Sequence, residues 1–265
     1  MSEMETKISK RSFWSGAVTI GLVNVPVKLY TMTYDKAFSF RFLHKQDGQP
    51  LKYERIDPKD NSAVPWEDTV RGYEVSKGHF IVFQKSELDA VRPQSTRKVS
   101  IDKFIDFFSI DPIYFEKSYI LAPDKSQEAY SLLFTALRKL QKAGVGRITL
   151  KTKEYPVLLH AYKGALVLTT LRYADEISDP SSFEELKGLK EPNKKELDLA
   201  VKIVNDLSGE FDINEYEDTY AKRIRELIKK KVKGEPIIAE KPVKEEEAKG
   251  LMVSLQETLN QLKKQ

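Results

Sequence analysis

The order of apolar and polar positions divides the chain into a β-rich first part and a helical second part. Residues 13–33 place β-branched side chains between Gly16, Gly21, Asn24 and Pro26, which predicts two short strands around a turn or bulge. Phe38, Phe40 and Phe42 alternate with Ser39 and Arg41, and this period of two predicts a half-buried strand. Residues 44–66 are polar and rich in turn pairs, namely Asp47-Gly48, Asp57-Pro58 and Asp60-Asn61, with Pro65 beyond them. They predict a long excursion instead of a core element. His79 to Gln84 predicts a strand, and Lys98 to Phe108 at least one more. From Ser126 to Ala143, residues Ala129, Leu132, Leu133, Ala136, Leu137 and Leu140 recur at helical spacing, with Ser126 as N-cap and Gly144 and Gly146 as terminators. Two strands follow, Arg147 to Lys153 and Leu158 to Tyr162, and Lys163-Gly164 turns the chain into Ala165 to Arg172. Short strands with short turns predict an antiparallel barrel or sandwich with one helix packed on it.

After Pro180 the pattern changes. Asn193 to Leu207 and Ile213 to Lys233 are amphipathic helices, closed by Ser208-Gly209 and Gly234. Residues 235–250, with Pro236, Pro242 and Glu245-Glu246-Glu247, have linker composition. Leu251, Leu255, Leu259 and Leu262 then form one apolar stripe on a helix over 251–264, too short to be stable alone. It is expected to dock on a partner or fray. The expected organisation is a β core over 1–182, a helical subdomain over 183–234, a linker over 235–250 and a short helix over 251–265.

Composition narrows the chemistry. Apolar residues make up 40% of the chain and aromatics 10%, enough for a sizeable core. The net charge is only +4, but it is unevenly spread. Residues 1–182 carry 27 Lys and Arg against 22 Asp and Glu, and residues 183–265 carry 17 against 18. A polyanion site is therefore expected in the first part, as a few focused cations. The absence of cysteine excludes disulfides, thiolate metal sites and cysteine nucleophiles. No apolar run is long enough for a membrane span and the first residues lack signal-peptide character, so a cytoplasmic location is expected.

No catalytic constellation is legible. His44, His79 and His160 lack metal-ligand spacing. Gly144-Val145-Gly146 follows a helix and opens a strand, the reverse of a phosphate-binding fingerprint. Adjacent carboxylates such as Glu67-Asp68 point apart on a strand or helix. The cations say more. Arg147, Lys151 and Lys153, with Thr149 between, would share one face of a strand, which is what a duplex backbone would meet. A solvated strand face is the alternative. Arg92, Arg97 and Lys98 cluster near Ser95 and Thr96 on a loop entering a strand, and Lys45, Lys52, Arg55 and Lys59 punctuate the polar excursion. Lys229-Lys230-Lys231 ends a helix, where cations complement the helix dipole.

Residues 13–30, FWSGAVTIGLVNVPVKLY, resemble the opening signature of prokaryotic Ku. The resemblance continues through FLHKQDG at 42–48, GYE at 72–74, LDAVRP at 88–93, IDPIYF at 110–115, YILAPDK at 119–125 and LRYADE at 171–176. Seven runs in the same order make a specific match. The resemblance implies a mainly β fold with α, a Ku-type barrel core with long arm insertions that combine across a two-fold dimer into a ring. It implies sequence-independent, non-enzymatic binding of double-stranded DNA ends in double-strand break repair, with no small-molecule substrate. It also implies recruitment of the multifunctional bacterial DNA ligase of end joining, with 183–234 and the stripe Leu251, Leu255, Leu259 and Leu262 as candidate contacts. The excursion at 44–66 then reads as part of the arm. Many relatives carry Cys-x-x-Cys within this arm. Here the stretch is Ile56-Asp57-Pro58-Lys59-Asp60-Asn61-Ser62-Ala63-Val64-Pro65, so no metal or other cofactor is expected. A scaffold that binds DNA only secondarily is the alternative, and a hydrolytic enzyme is a third reading without an acidic cluster to support it.

Overall fold

The computed structural model describes residues 11–34, 38–93, 97–236 and 250–262. Ser95 and Thr96, most of the expected linker and residues 263–265 lie outside them. The chain divides into two compact units, Met1–Ser178 and Asp179–Gln265.

Nine strands form among the described residues of the first unit. They are β1 (Trp14–Ile20), β2 (Val23–Thr31), β3 (Arg71–Ser76), β4 (His79–Phe83), β5 (Lys98–Asp106), β6 (Phe115–Pro123), β7 (Lys142–Leu150), β8 (Lys153–Tyr162) and β9 (Ala165–Leu171). Seven close a barrel in the order β1-β2-β6-β9-β8-β7-β5, and β3 and β4 pair separately as a hairpin. Alternation decides what fills the barrel. Val18, Val27, Leu29, Val99, Leu121, Ile148, Leu159 and Leu168 are fully or almost fully buried in one cluster. Each such side chain contributes about 1.5–3 kcal/mol relative to exposure.

All pairs in the barrel are antiparallel except β1 with β5, where Ala17, Val18 and Thr19 face Lys98, Val99 and Ser100 in parallel. The backbones meet closely on both sides of β5. The Ala17 amide donates to the Arg97 carbonyl at 3.1 Å. A Cβ on Gly16 would lie 2.1 Å from that oxygen, and one on Gly146 would lie 1.8 Å from the Ser100 carbonyl. These two glycines are glycine because backbone occupies the space.

One helix seals the barrel. In α2 (Gln127–Leu140), Tyr130 and Leu137 join the barrel core. The Tyr130 hydroxyl donates to the Leu121 carbonyl at 2.7 Å and accepts from the Leu166 amide at 2.8 Å. It thereby satisfies the two backbone groups where the β6–β9 ladder ends. Ser126 occupies the N-cap position without a side-chain cap bond, and Gln141, at φ +52°, ends the helix. Gly144 and Gly146 are not terminators; they lie inside β7.

Several expected elements differ. Residues 38–42 form no strand, and Phe40 and Phe42 are exposed, because no neighbouring strand takes up their alternation. The run Arg147 to Lys153 is not one strand: β7 ends at Leu150, and Lys151-Thr152 turns the chain into β8. β3, β6 and the short helix α1 (Lys85–Ala90) have no counterpart in the sequence pattern.

The second unit contains α3 (Lys194–Asp206), α4 (Thr219–Lys233) and α5 (Leu251–Leu262). Asn193 caps α3, accepting from the Lys195 amide at 3.0 Å. α4 starts later than the expected Ile213. Residues Ile213–Glu215 form a separate 3-10 turn, and Asp218 caps α4 by accepting from the Ala221 amide at 2.8 Å. α5 packs on α3. Leu259 is buried and Leu255 and Leu262 are half-buried, whereas Leu251 is 63% exposed. Most of the stripe expected to meet a partner is thus turned to its own unit. No helix among the described residues is long and apolar enough to cross a membrane.

The backbone contact at Gly146 predicts the outcome of one substitution. Gly146→Ala should lower the stability of the first unit by about 1–3 kcal/mol. Gly209→Ala, in open space, should change stability by no more than about 0.5 kcal/mol. Urea unfolding followed by tryptophan fluorescence checks Gly146→Ala, since Trp14 and Trp66 both lie in the first unit, and the helical circular dichroism signal checks Gly209→Ala in the second.

Candidate nucleic-acid interface

The barrel registers collect one set of strand ends at the same mouth. β1, β5, β6 and β8 begin there, and β2, β7 and β9 end there. From this mouth the chain leaves after β2 and returns into β5. The connection is an arm spanning residues 38–93 among those described.

The arm has no core of its own: none of its residues from 38 to 93 is buried. Tyr53 is 88% exposed, Phe42 73% and Trp66 67%, and Tyr73, Phe80 and Val82 on the β3–β4 hairpin are exposed as well. A two-stranded hairpin is marginal alone in water. The arm is instead ordered by local hydrogen bonds, in two similar turns. In the first, the Gly48 amide donates to the His44 carbonyl at 2.9 Å, and the Gln49 amide to the Asp47 carboxylate at 3.0 Å. In the second, the Asn61 amide donates to the Asp57 carbonyl at 2.8 Å, and the Ser62 amide to the Asp60 carboxylate at 2.9 Å. The bond from Gln49, with His44 beside it, holds the Asp47 carboxyl below the usual carboxylate range, and Ser62 does the same for Asp60. Among the described residues no three His, Asp or Glu side chains converge as a metal site.

The expected cations fall into three settings. Lys45 and Lys59 lie on the two arm turns, Lys52 lies between them, and the Arg55 guanidinium sits 4.3 Å from the Trp66 ring centre. Arg97, at φ +51°, and Lys98 stand where the arm re-enters the barrel. Arg92 lines a cleft of about 250 Å³ with Arg71, Leu88, Val91, Pro93 and Thr152, which joins the arm base to the β7–β8 turn at Lys151-Thr152. Arg92 also meets Asp89 at 2.7 Å. Arg71 went unnoticed in the sequence, where it precedes the Gly72-Tyr73-Glu74 run without a second cation beside it.

The strand face expected for Arg147, Thr149, Lys151 and Lys153 does not exist. Lys151 is in the turn at φ +56°. Lys153 pairs with Leu150 across the hairpin, while Arg147 pairs with Pro156, so the two cations point to opposite faces of the sheet. Arg147 is flanked by Asp102 at 3.6 Å and Glu154 at 4.0 Å. Lys153 donates to Glu176 at 2.8 Å and lies over the Tyr155 and Tyr173 rings. That hydrogen bond pushes the Lys153 ammonium pKa up and the Glu176 carboxyl down. Close by, Arg172 donates to the Ile113 and Phe115 carbonyls, so this corner is a structural clasp.

A closed seven-stranded barrel with a coreless arm inserted after its second strand defines a β-barrel domain of the Ku type. Residues 19–199 match the family model described as the Ku70/Ku80 beta-barrel domain. The chain belongs to the Ku family. It is 42% identical over 231 residues to a protein named non-homologous end joining protein Ku from Anaeromyxobacter sp. (strain K), covering 86% of this chain and 78% of that one. The Bacillus subtilis (strain 168) protein of that name is 31% identical, over 97% of this chain and 84% of its own. The Archaeoglobus fulgidus protein is 32% identical, over 96% of this chain and all of its own.

Arg147 is flanked by two carboxylates, so its surroundings are net negative, and Arg147→Gln should change binding to heparin or duplex DNA less than the loss of either cleft arginine. Arg71→Gln with Arg92→Gln should flatten the log–log salt dependence of binding by roughly 2, at about 0.9 per lost phosphate contact. Salt titration of binding checks both.

Proposed function

We propose that this chain binds double-stranded DNA ends without sequence preference, as a two-fold ring of two copies, in double-strand break repair by end joining. The observation that carries the proposal is the arm: 38–93 holds exposed aromatic and aliphatic side chains and cations but no buried residue, beside a barrel that is complete without it. Such an apolar surface is covered by something in the working protein. A second copy offers the same arm by symmetry, and two-fold pairing is the simplest closure. The duplex then meets Lys45, Lys52, Arg55 and Lys59 of the arm and Arg71, Arg92, Arg97, Lys98 and Lys151 at the barrel mouth. These side chains can reach phosphates, and α2, the one long helix among the described residues of the first unit, lies at the opposite mouth.

The chain itself catalyses no step of the repair. Its reaction partner is the end-joining ligase, recruited by residues 183–234 and 251–265. The exposed stripe Leu197, Val201 and Val204 on α3 favours a protein partner there. The setting is the nucleoid of the cytoplasm, where broken duplex is found.

Binding to linear, hairpin-capped and covalently closed circular duplexes across a salt series tests the proposal. Linear duplex should bind with a log–log salt slope of roughly −5 if about six phosphates are contacted. Capped duplex with bulky ends and closed circles should bind far more weakly. Equal affinity for closed circles and linear duplex would overturn the reading.

A further inference from the structure

Charge in the second unit is segregated onto one helix. Residues 183–265 are nearly neutral, with 17 Lys and Arg against 18 Asp and Glu, yet α4 alone holds seven of those cations and only one of the acids, Glu226. Lys222, Arg225, Lys229 and Lys233 recur at i, i+3, i+7 and i+11, which places them on one face, with Lys230 beside it. The opposite face is apolar and covered along its middle: Ala221 is buried and Ile224, Leu227 and Ile228 are half-buried, with Tyr220 and Val232 exposed near its two ends. An amphipathic basic helix whose apolar face is covered along its middle has little to insert into a lipid surface. What remains is a row of cations.

The helix dipole does not account for the whole of that row. Lys230, Lys231 and Lys233 in the last turn complement the helix dipole, but Lys222, Arg223 and Arg225 lie in the first half, where the dipole opposes positive charge. The ion pairs at its ends, Lys222 with Glu217 at 3.3 Å and Lys233 with Glu235 at 3.7 Å, are solvent-exposed and correspondingly weak. A phosphate can replace either carboxylate at little cost. From Lys222 to Lys233 the helix rises about 16 Å, comparable to roughly five phosphate steps along one strand of duplex DNA.

We infer that α4 is a second duplex-backbone contact, in a different unit from the arm and barrel mouth, which grips phosphates without reading bases. The inference rests on the reading of the chain as a duplex-binding protein. It supplies electrostatic affinity from a segment whose Lys229-Lys230-Lys231 run suggested complementing the helix dipole.

The full-length chain with Lys222→Gln, Lys229→Gln and Lys230→Gln tests it, by fluorescence anisotropy on linear duplex across a salt series. A control variant, Lys190→Gln, Lys194→Gln and Lys195→Gln, removes the same charge elsewhere in the unit. The α4 variant should keep its thermal unfolding profile and its preference for linear over closed duplex. Its log–log salt slope should be shallower than that of the control by roughly 2–3. Equal slopes for the two variants, with wild-type end binding intact, would overturn the α4 contact alone and leave the face to an acidic protein partner. Failure of the wild-type chain to bind linear duplex would overturn both readings.

Discussion

The parallel seam between β1 and β5 is the constraint on which the first unit depends. Every other barrel pair is antiparallel and can be joined by a short turn. A strand returning parallel to β1 cannot be, because parallel neighbours need a crossover of a dozen or more residues. β2 and the arm together make that crossover, leaving β1, running back along it as β2 and returning on the other side of β1. The seam demands close backbone approach at Gly16, and Gly146 allows the same approach on the antiparallel side of β5. The return across the barrel mouth and the glycine at position 16 are consequences of the same closure.

Closure also gives the barrel two unlike ends. α2 seals one, with the Tyr130 hydroxyl spanning the last β6 and β9 backbone groups. The other carries the arm, the β7–β8 turn and the entry to β5, and so gathers Arg71, Arg92, Arg97, Lys98 and Lys151. Fold and electrostatics are therefore linked: the +4 chain needs no global excess of positive charge, because topology concentrates its cations at one mouth. The hydrophobic effect acts in the opposite sense on the arm, which leaves Tyr53, Phe42 and Trp66 in solvent and makes a covering surface necessary for it to be stable.

Where side-chain chemistry is local, the sequence was legible. The β1–β2 hairpin, the α2 helix, the Lys163-Gly164 turn, the start of α3 at Asn193 and the Gly234 stop all rest on residues close in sequence, and the family resemblance rested on such runs; the face α2 turns inward did not follow, since Leu132 and Leu140 of the expected stripe are exposed and Tyr130 is buried. What was illegible depends on partners distant in sequence. The Lys151-Thr152 turn contains no Gly, Pro, Asn or Asp, so nothing local marks it. Without that turn the alternation of Arg147, Lys151 and Lys153 looked like one strand face. Asp102 neutralises Arg147 only through the β5–β7 register. Gly144 and Gly146 looked like helix terminators because the groups they accommodate, side chains of Ile101 and Phe104 at Gly144 and the Ser100 backbone at Gly146, belong to β5. Phe38, Phe40 and Phe42 carry a true alternation, but no strand lies beside them to use it.

An arm that surrounds the duplex holds it differently from one that merely touches it. A topological trap tests that directly. The protein is loaded on linear duplex, the ends are then ligated into a circle, and the complex is challenged with high salt, which removes phosphate-only binding. The account predicts that protein stays on the circle under salt that strips it from linear DNA, and that linearising the circle releases it. Equal loss from circular and linear DNA would contradict the ring.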